Sequence, residues 1–217
     1  MNKSSLSQIE RIFYPGWLLT SQLRGGQEVH EGEKLYRRAC RLVQDARTAL
    51  TEAGYSDINR DHMVYALCAL LDESVLNRGT PDDGYLAWRR DPLQAHFFST
   101  LNAGEELWER IRHLLKETAP DTAVLTCLYR TLQLGFVGQY RAQDDERRED
   151  VVRALGERVP PFTLTQDAPI VVRASRLRSG RRGYWLFWVV GAVVLAALWF
   201  FLSSSLTELV SQTVRPG

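Results

Sequence analysis

The sequence predicts an all-α body followed by one C-terminal transmembrane helix, and three observations carry that reading. Apolar residues recur at helical spacing in successive segments up to about residue 158. No run alternates apolar and polar residues over enough length to argue for a sheet, and Ala168 to Val172 is the one stretch with the character of a lone extended strand. Finally, Tyr184 to Leu202, YWLFWVVGAVVLAALWFFL, is 19 residues without a charge. As a helix it is about 28 Å long, which matches the hydrocarbon core of a bilayer.

In chain order, Leu6, Ile9, Ile12 and Phe13 predict a first short helix, bent or stopped at Pro15-Gly16 before Trp17, Leu18, Leu19 and Leu23 resume the pattern. Gly25-Gly26 ends it. From about Val29 to Ala53 a long amphipathic helix follows, with Gly54 as its stop. Asp57 is the expected cap of the next helix, and Gly79 with Pro81 closes it. Asn77 to Arg90 is the most loop-like part of the body. Leu93, Phe97 and Leu101 predict a short helix broken at Gly104, and Leu107 to Leu115 an amphipathic one started by Glu105 and Glu106, whose charge suits a helix N-terminus. Asp121 caps a further helix running to Leu132, and Asp144 to Arg158 is the last before Val159-Pro160-Pro161.

The chain is organised around Met63 to Leu76, MVYALCALLDESVL, which is apolar almost all the way round. A helix without a wet face is a buried central helix. Inside it stand two adjacent carboxylates, Asp72 and Glu73. Neighbouring positions point about 100° apart, so the pair cannot clasp one bond or one metal between them. Each either meets an Arg or a backbone N–H, as carboxylates near a core do, or lines an acidic groove for a partner. In the second case Asp82, Asp83 and Trp88, from the adjacent loop, are the expected groove wall.

Charge is distributed unevenly. Residues 1 to 172 hold 21 Lys+Arg against 25 Asp+Glu, whereas residues 173 to 182 hold five arginines and no acid: Arg173, Arg176, Arg178, Arg181 and Arg182. A mildly acidic body argues against nucleic acid as its partner. The basic collar precedes the span and only Glu208 and Arg215 follow it, so the positive-inside rule puts the N-terminal body in the cytoplasm and the tail outside. Tyr184 and Trp185 at one end of the span and Trp199 at the other occupy the positions of membrane-interface aromatics. The collar arginines also attract anionic lipid. Cys40, Cys68 and Cys127 form no CxxC and lie in apolar helical patterns, as small buried hydrophobes in a reducing compartment do. The expected organisation is a cytoplasmic helical domain over 1–158, a linker and collar over 159–183, the span over 184–202, and a short periplasmic tail over 203–217.

Catalytic patterns are lacking. His30, His62, His96 and His113 share no metal-ligand spacing, no serine sits in a GxSxG turn, and Gly135 and Gly138 are followed by no Lys-Ser or Lys-Thr. The two glycines are expected to serve a turn or a close backbone approach. No catalytic, cofactor-binding or metal-binding residue is assigned. The alternative to a scaffold is a tail-anchored enzyme acting at the cytoplasmic face of the membrane, pairing Asp72 or Glu73 with His62. Ten residues separate His62 from Asp72, about 15 Å along one helix, which disfavours it. A pore-former is disfavoured by the uncharged span.

Taken together, Tyr65-Ala66-Leu67-Cys68-Ala69-Leu70-Leu71-Asp72-Glu73, then Trp88, Leu93, His96 and Gly104-Glu105, then Leu134-Gly135-Phe136-Val137-Gly138-Gln139-Tyr140-Arg141 resemble the TssL family, also called DotU or IcmH-like, of type VI secretion systems. The resemblance runs from about residue 15 to 205, with departures at Ala103, Leu107-Trp108 and Gln139. It implies a hook-shaped cytoplasmic domain of two small packed helical bundles hung from one inner-membrane helix, acting as a scaffold. It implies partners: the inner-membrane protein TssM (IcmF-like), the lipoprotein TssJ indirectly through TssM, and TssK among the baseplate proteins. Self-association through the membrane helix is a family trait, and Gly191-Ala192 with Ala196-Ala197 would allow two helices to approach closely. Some members carry a peptidoglycan-binding domain after the span; a chain ending at Gly217 is expected to be a short form.

Overall fold

The computed structural model describes residues 3–26, 28–140 and 144–160, with side chains from residue 8 onward. The linker, the collar, the aromatic interface residues, the span of 184–202 and the extended stretch at 168–172 lie outside the described residues. Among those described there is no strand, and no helix long and apolar enough to cross a membrane.

The described elements are α1 (Lys3–Arg24), α2 (Gly32–Glu52), α3 (Asp57–Leu76), α4 (Asp83–Arg90), α5 (Leu93–Phe98), α6 (Ala103–Lys116), α7 (Thr122–Gln133) and α8 (Glu146–Gly156). As expected from its composition, α3 is the hub: Met63 through Asp72 are all buried, and it packs against α1, α2, α4, α5, α6 and α7. Its neighbours fall into two groups that share it. Helix α2 packs on α1 and α4 in one group and α6, α7 and α8 pack on one another in the other, while α1 also meets α7 and joins the two. Each of the buried leucines of α3 removes enough apolar surface to contribute about 1.5–3 kcal/mol.

Four boundaries differ from the sequence expectation, each for a local reason. Pro15 does not stop the first helix; α1 runs through it. Gly16 lies so close to α3 that a Cβ there would stand 2.6 Å from Leu67 Cδ1, and Thr20 Oγ1 donates to the Gly16 carbonyl. Tertiary packing thus outweighs the N–H that proline lacks. Ser56, not Asp57, caps α3, its hydroxyl accepting from the Asn59 amide. The loop expected over 77–90 is confined to 77–82, because Asp82 caps α4 by accepting from the Tyr85 amide at 3.0 Å. Gly104 breaks nothing: it is the second residue of α6.

Candidate functional site

Asp72 and Glu73 diverge as their helical spacing requires, and each fastens a different part of the chain. Asp72 is 1% exposed. Its Oδ1 accepts from Trp88 Nε1 at 3.0 Å and from the Leu93 amide at 2.9 Å, and its Oδ2 from the Gln94 amide at 2.9 Å. Leu93 and Gln94 open α5, so a carboxylate from α3 satisfies N–H groups that a helix start leaves without partners. The Gln94 Oε1 then accepts from the Ala103 amide at 2.7 Å, the first residue of α6. Burial pushes the Asp72 carboxyl up, the Gln94, Leu93 and Trp88 donors pull it back, and it settles at about 6.

Glu73 turns toward the segment after α7. Its Oε2 accepts from the Gly138 amide at 2.7 Å, its Oε1 from the Val137 amide at 3.0 Å and from Arg24 Nη2 at 2.9 Å. Arg24, the last residue of α1, also donates through Nε to Ser74 Oγ at 3.0 Å. The 134–140 turn is gripped from other sides as well. Trp108 Nε1 donates to the Val137 carbonyl at 3.0 Å, and the Gln139 amide to the Gly104 carbonyl at 2.8 Å. Buried Arg148 donates to the Leu132 and Phe136 carbonyls at 2.8 and 3.2 Å. Gly138 adopts φ +60°, where a Cβ would lie 2.5 Å from the Gly104 oxygen, so both a positive φ and close backbone approach require glycine.

These braces surround a cleft of about 470 Å³ between the end of α1, the end of α3, the 77–82 loop and the 137–140 turn. Glu73 and Ser74 line it from α3, Arg24 and Glu28 from the α1 side, and Asn77, Thr80 and Asp82 from the loop. Its carboxylates are largely engaged: Glu73 with Arg24 at 2.9 Å, and Asp82 with Arg78 at 2.8 Å. Burial pushes the Asp82 carboxyl up, but donation from the Tyr85 and Val29 amides and the Arg78 guanidinium outweighs it and leaves the group below the usual range.

Of the five residues expected to form an acidic groove, the structure brings Glu73 and Asp82 together at this cleft. Asp72 and Trp88 are buried, do not line the cleft, and bond to each other. Asp83 is exposed and lies in a separate depression with Gly32 and Leu86. The 77–90 loop expected beside the groove supplies Asn77, Arg78, Thr80 and Asp82, and the cleft residues that sequence reasoning missed include Arg24 and Glu28; the nearest signal was Arg24 directly before Gly25-Gly26.

The other chemistry-bearing side chains are dispersed. Tyr36 donates to Asp91 Oδ2 at 2.9 Å, which His96 Nδ1 also meets at 3.0 Å; burial first and this bond second raise the Tyr36 phenol. Burial and then the nearby Arg110 charge hold His62 below its usual value. Cys68 and Cys127 are buried, with thiols pushed up by desolvation, while Cys40 is half-buried. Among the described residues no cluster of His, Cys, Asp or Glu is arranged to hold a metal ion.

Comparison with known proteins places these features in context. Residues 8–205 match the family model described as type VI secretion system protein DotU. Among solved structures, the chain is similar to type VI secretion SciP/TssL of enteroaggregative Escherichia coli 042 at 69% identity and TM-score 0.65, over 78% of this chain and 98% of that one. It shares the fold of the cytoplasmic domain of TssL from Acinetobacter baumannii at 22% identity and TM-score 0.64, over 69% of this chain and 95% of that one. Among curated proteins none matches.

Proposed function

This chain belongs to the DotU family of type VI secretion system proteins, and from that premise we propose that it is the TssL-type scaffold that ties the secretion machine's membrane complex to its cytoplasmic baseplate. Residues 1–158 form the cytoplasmic domain, 159–183 the linker and basic collar, 184–202 a single inner-membrane span, and 203–217 a short periplasmic tail. The domain docks TssM and baseplate proteins such as TssK, with TssJ reached through TssM, and the chain self-associates through its span. The matched family is a component of a secretion system, so the enzyme alternative has no support in these comparisons.

The observation that carries the docking reading is the cleft between α1, α3 and the two loops. It is concave, polar at its rim and braced by buried hydrogen bonds, so it presents a preformed surface that costs little ordering on binding. Its outer rim, Glu28, Asn77 and Thr80, is exposed. The experiment is mass spectrometry of proteins co-purified with the tagged full-length chain from detergent-solubilised membranes, beside a chain ending at Arg182. Recovery of TssM-like and TssK-like proteins supports the scaffold, and the shortened chain separates contacts made by the cytoplasmic domain from those needing the span. Recovery of the chain alone after crosslinking would reject the assembly role.

A further inference from the structure

Helix α2 carries a basic stripe that the fold leaves unpaired. At 100° per residue, Lys34, Arg37, Arg38 and Arg41 fall within about 100° of arc. The buried positions Ala39, Val43, Ala46 and Leu50 occupy the opposite side, so the stripe points straight away from the core. Lys34 is bound to Glu31, and Arg90 on neighbouring α4 to Glu33. Arg37, Arg38 and Arg41 are exposed and have no carboxylate partner among the described residues, and exposed Arg89 at the end of α4 is in the same condition. The next acid along the stripe is Asp45, a turn beyond Arg41. By contrast Arg24, Arg47, Arg60 and Arg110 are each paired with a carboxylate, and Arg11, Arg112 and Arg158 are scattered singly over other helices or the chain end. Three unpaired guanidiniums on one convex helix face, in a body with an excess of acid, are a segregated charge.

That charge has apolar company. On the α1 side Lys34, Arg38 and Arg41 line a depression with Leu19, Leu23 and Leu35, which Glu28 and Glu31 also border. On the α4 side Leu86 is 57% exposed in a depression that Arg37 and Arg90 line together with Glu31, Glu33 and Asp83. Arginines whose stems lie along apolar surface and whose heads are free suit the headgroup region of a bilayer.

We propose that the α2 arginine face rests against an anionic phospholipid surface, giving the cytoplasmic domain a second membrane contact beyond its anchor. The proposal builds on the membrane-anchored reading above. In that reading the linker tethers the domain at high effective concentration beside an anionic leaflet, so contacts too weak to hold a free protein suffice to orient a tethered one.

The test uses the body alone, Met1 to Phe162, which forms its own unit; the solved relative, matched over 98% of its length by 78% of this chain, folds without the remainder. Flotation with phosphatidylethanolamine–phosphatidylglycerol vesicles is compared with pure phosphatidylcholine vesicles. The anionic vesicles are expected to carry the body, with partitioning falling about fivefold for each of Arg37→Gln, Arg38→Gln and Arg41→Gln and on the order of a hundredfold for all three. Arg112→Gln with Lys116→Gln, remote on α6, is expected to change it little. Added salt is expected to release the unmodified body, a check that needs no variant. Equal binding to both vesicle types, indifference to the triple substitution in a protein that melts like the parent, or capture by polyglutamate without capture by anionic vesicles would each overturn the proposal. Carbonate extraction of the full-length chain from membranes reports separately on the anchor, so loss of one reading is not mistaken for loss of the other.

Discussion

The Glu73 carboxylate accepts the Gly138 backbone N–H at 2.7 Å across 65 positions of sequence, joining the apolar central helix to the glycine turn that follows α7. The same carboxylate holds Arg24 at the end of α1. One side chain therefore fixes three walls of the cleft. Its side chain is 8% exposed, so removing it leaves two amides and a guanidinium poorly compensated. Glu73→Ala is expected to cost about 3–5 kcal/mol, and Glu73→Gln, which keeps one acceptor, about 1–3 kcal/mol. Urea unfolding of the body measures both; a cost for Glu73→Ala within about 0.5 kcal/mol, the range of an ordinary surface substitution, would show that the turn stands without it.

Asp72 gives the protein a pH dependence of defined sign. Its carboxyl lies at about 6 in the fold, against ~3.9 for an unfolded aspartate. The folded state thus holds a proton that the unfolded chain has released. The stability this confers is full below about pH 4 and is lost as pH rises through about 6, on the order of 3 kcal/mol in all. Asp72→Asn cannot titrate there. The difference in unfolding free energy between parent and variant is therefore expected to fall across that window, and a difference independent of pH would contradict the burial described.

Two glycines with positive φ separate conformational strain from collision. Gly54, at φ +81°, has nothing within 4 Å of where a Cβ would stand, so Gly54→Ala is expected to cost about 1–2 kcal/mol from backbone strain alone. Gly138, at φ +60°, would bring its Cβ against the Gly104 oxygen and the Phe136 ring. Gly138→Ala is expected to cost about 3 kcal/mol or more, strain and overpacking together. Thermal melts of the two variants side by side check the order.

Arg148 is a buried cation whose guanidinium meets the Leu132 and Phe136 carbonyls where α7 ends. Arg148→Lys keeps the charge but loses the planar fork that reaches both carbonyls, and is expected to lower stability by about 1–3 kcal/mol. Amide hydrogen exchange should accelerate at 134–140 in this variant; unchanged exchange there would assign the turn's order to Glu73, Trp108 and the Gln139–Gly104 backbone bond.

Much of this was legible from residue patterns, and the misses share a cause. The central helix showed in its unbroken apolar run, and the caps Asp121 and Asp145 agree with the starts expected near them. Pro15 and Gly104 misled because their effect depends on what packs against them: Leu67 beside Gly16, and the Gly138 turn beside Gly104. The Asp72–Glu73 pair was visible as an anomaly, and a partner for each among arginines or backbone amides was one of the two expected outcomes. Which amides they meet lies 21 to 65 positions away, beyond any local periodicity. Arg24 entered the cleft unannounced for the same reason, since an arginine's partner is a property of the folded neighbourhood.

In the proposed function, buried carboxylates shape the cleft and its outer rim receives the partner. The most direct measurement is co-purification of the full-length chain carrying Asn77→Arg with Thr80→Arg, two exposed rim positions, alongside a thermal melt of the same substitutions in the body. The expected result is an unchanged melt with loss of the co-purifying baseplate protein. An unchanged melt with the full set of partners retained would contradict it.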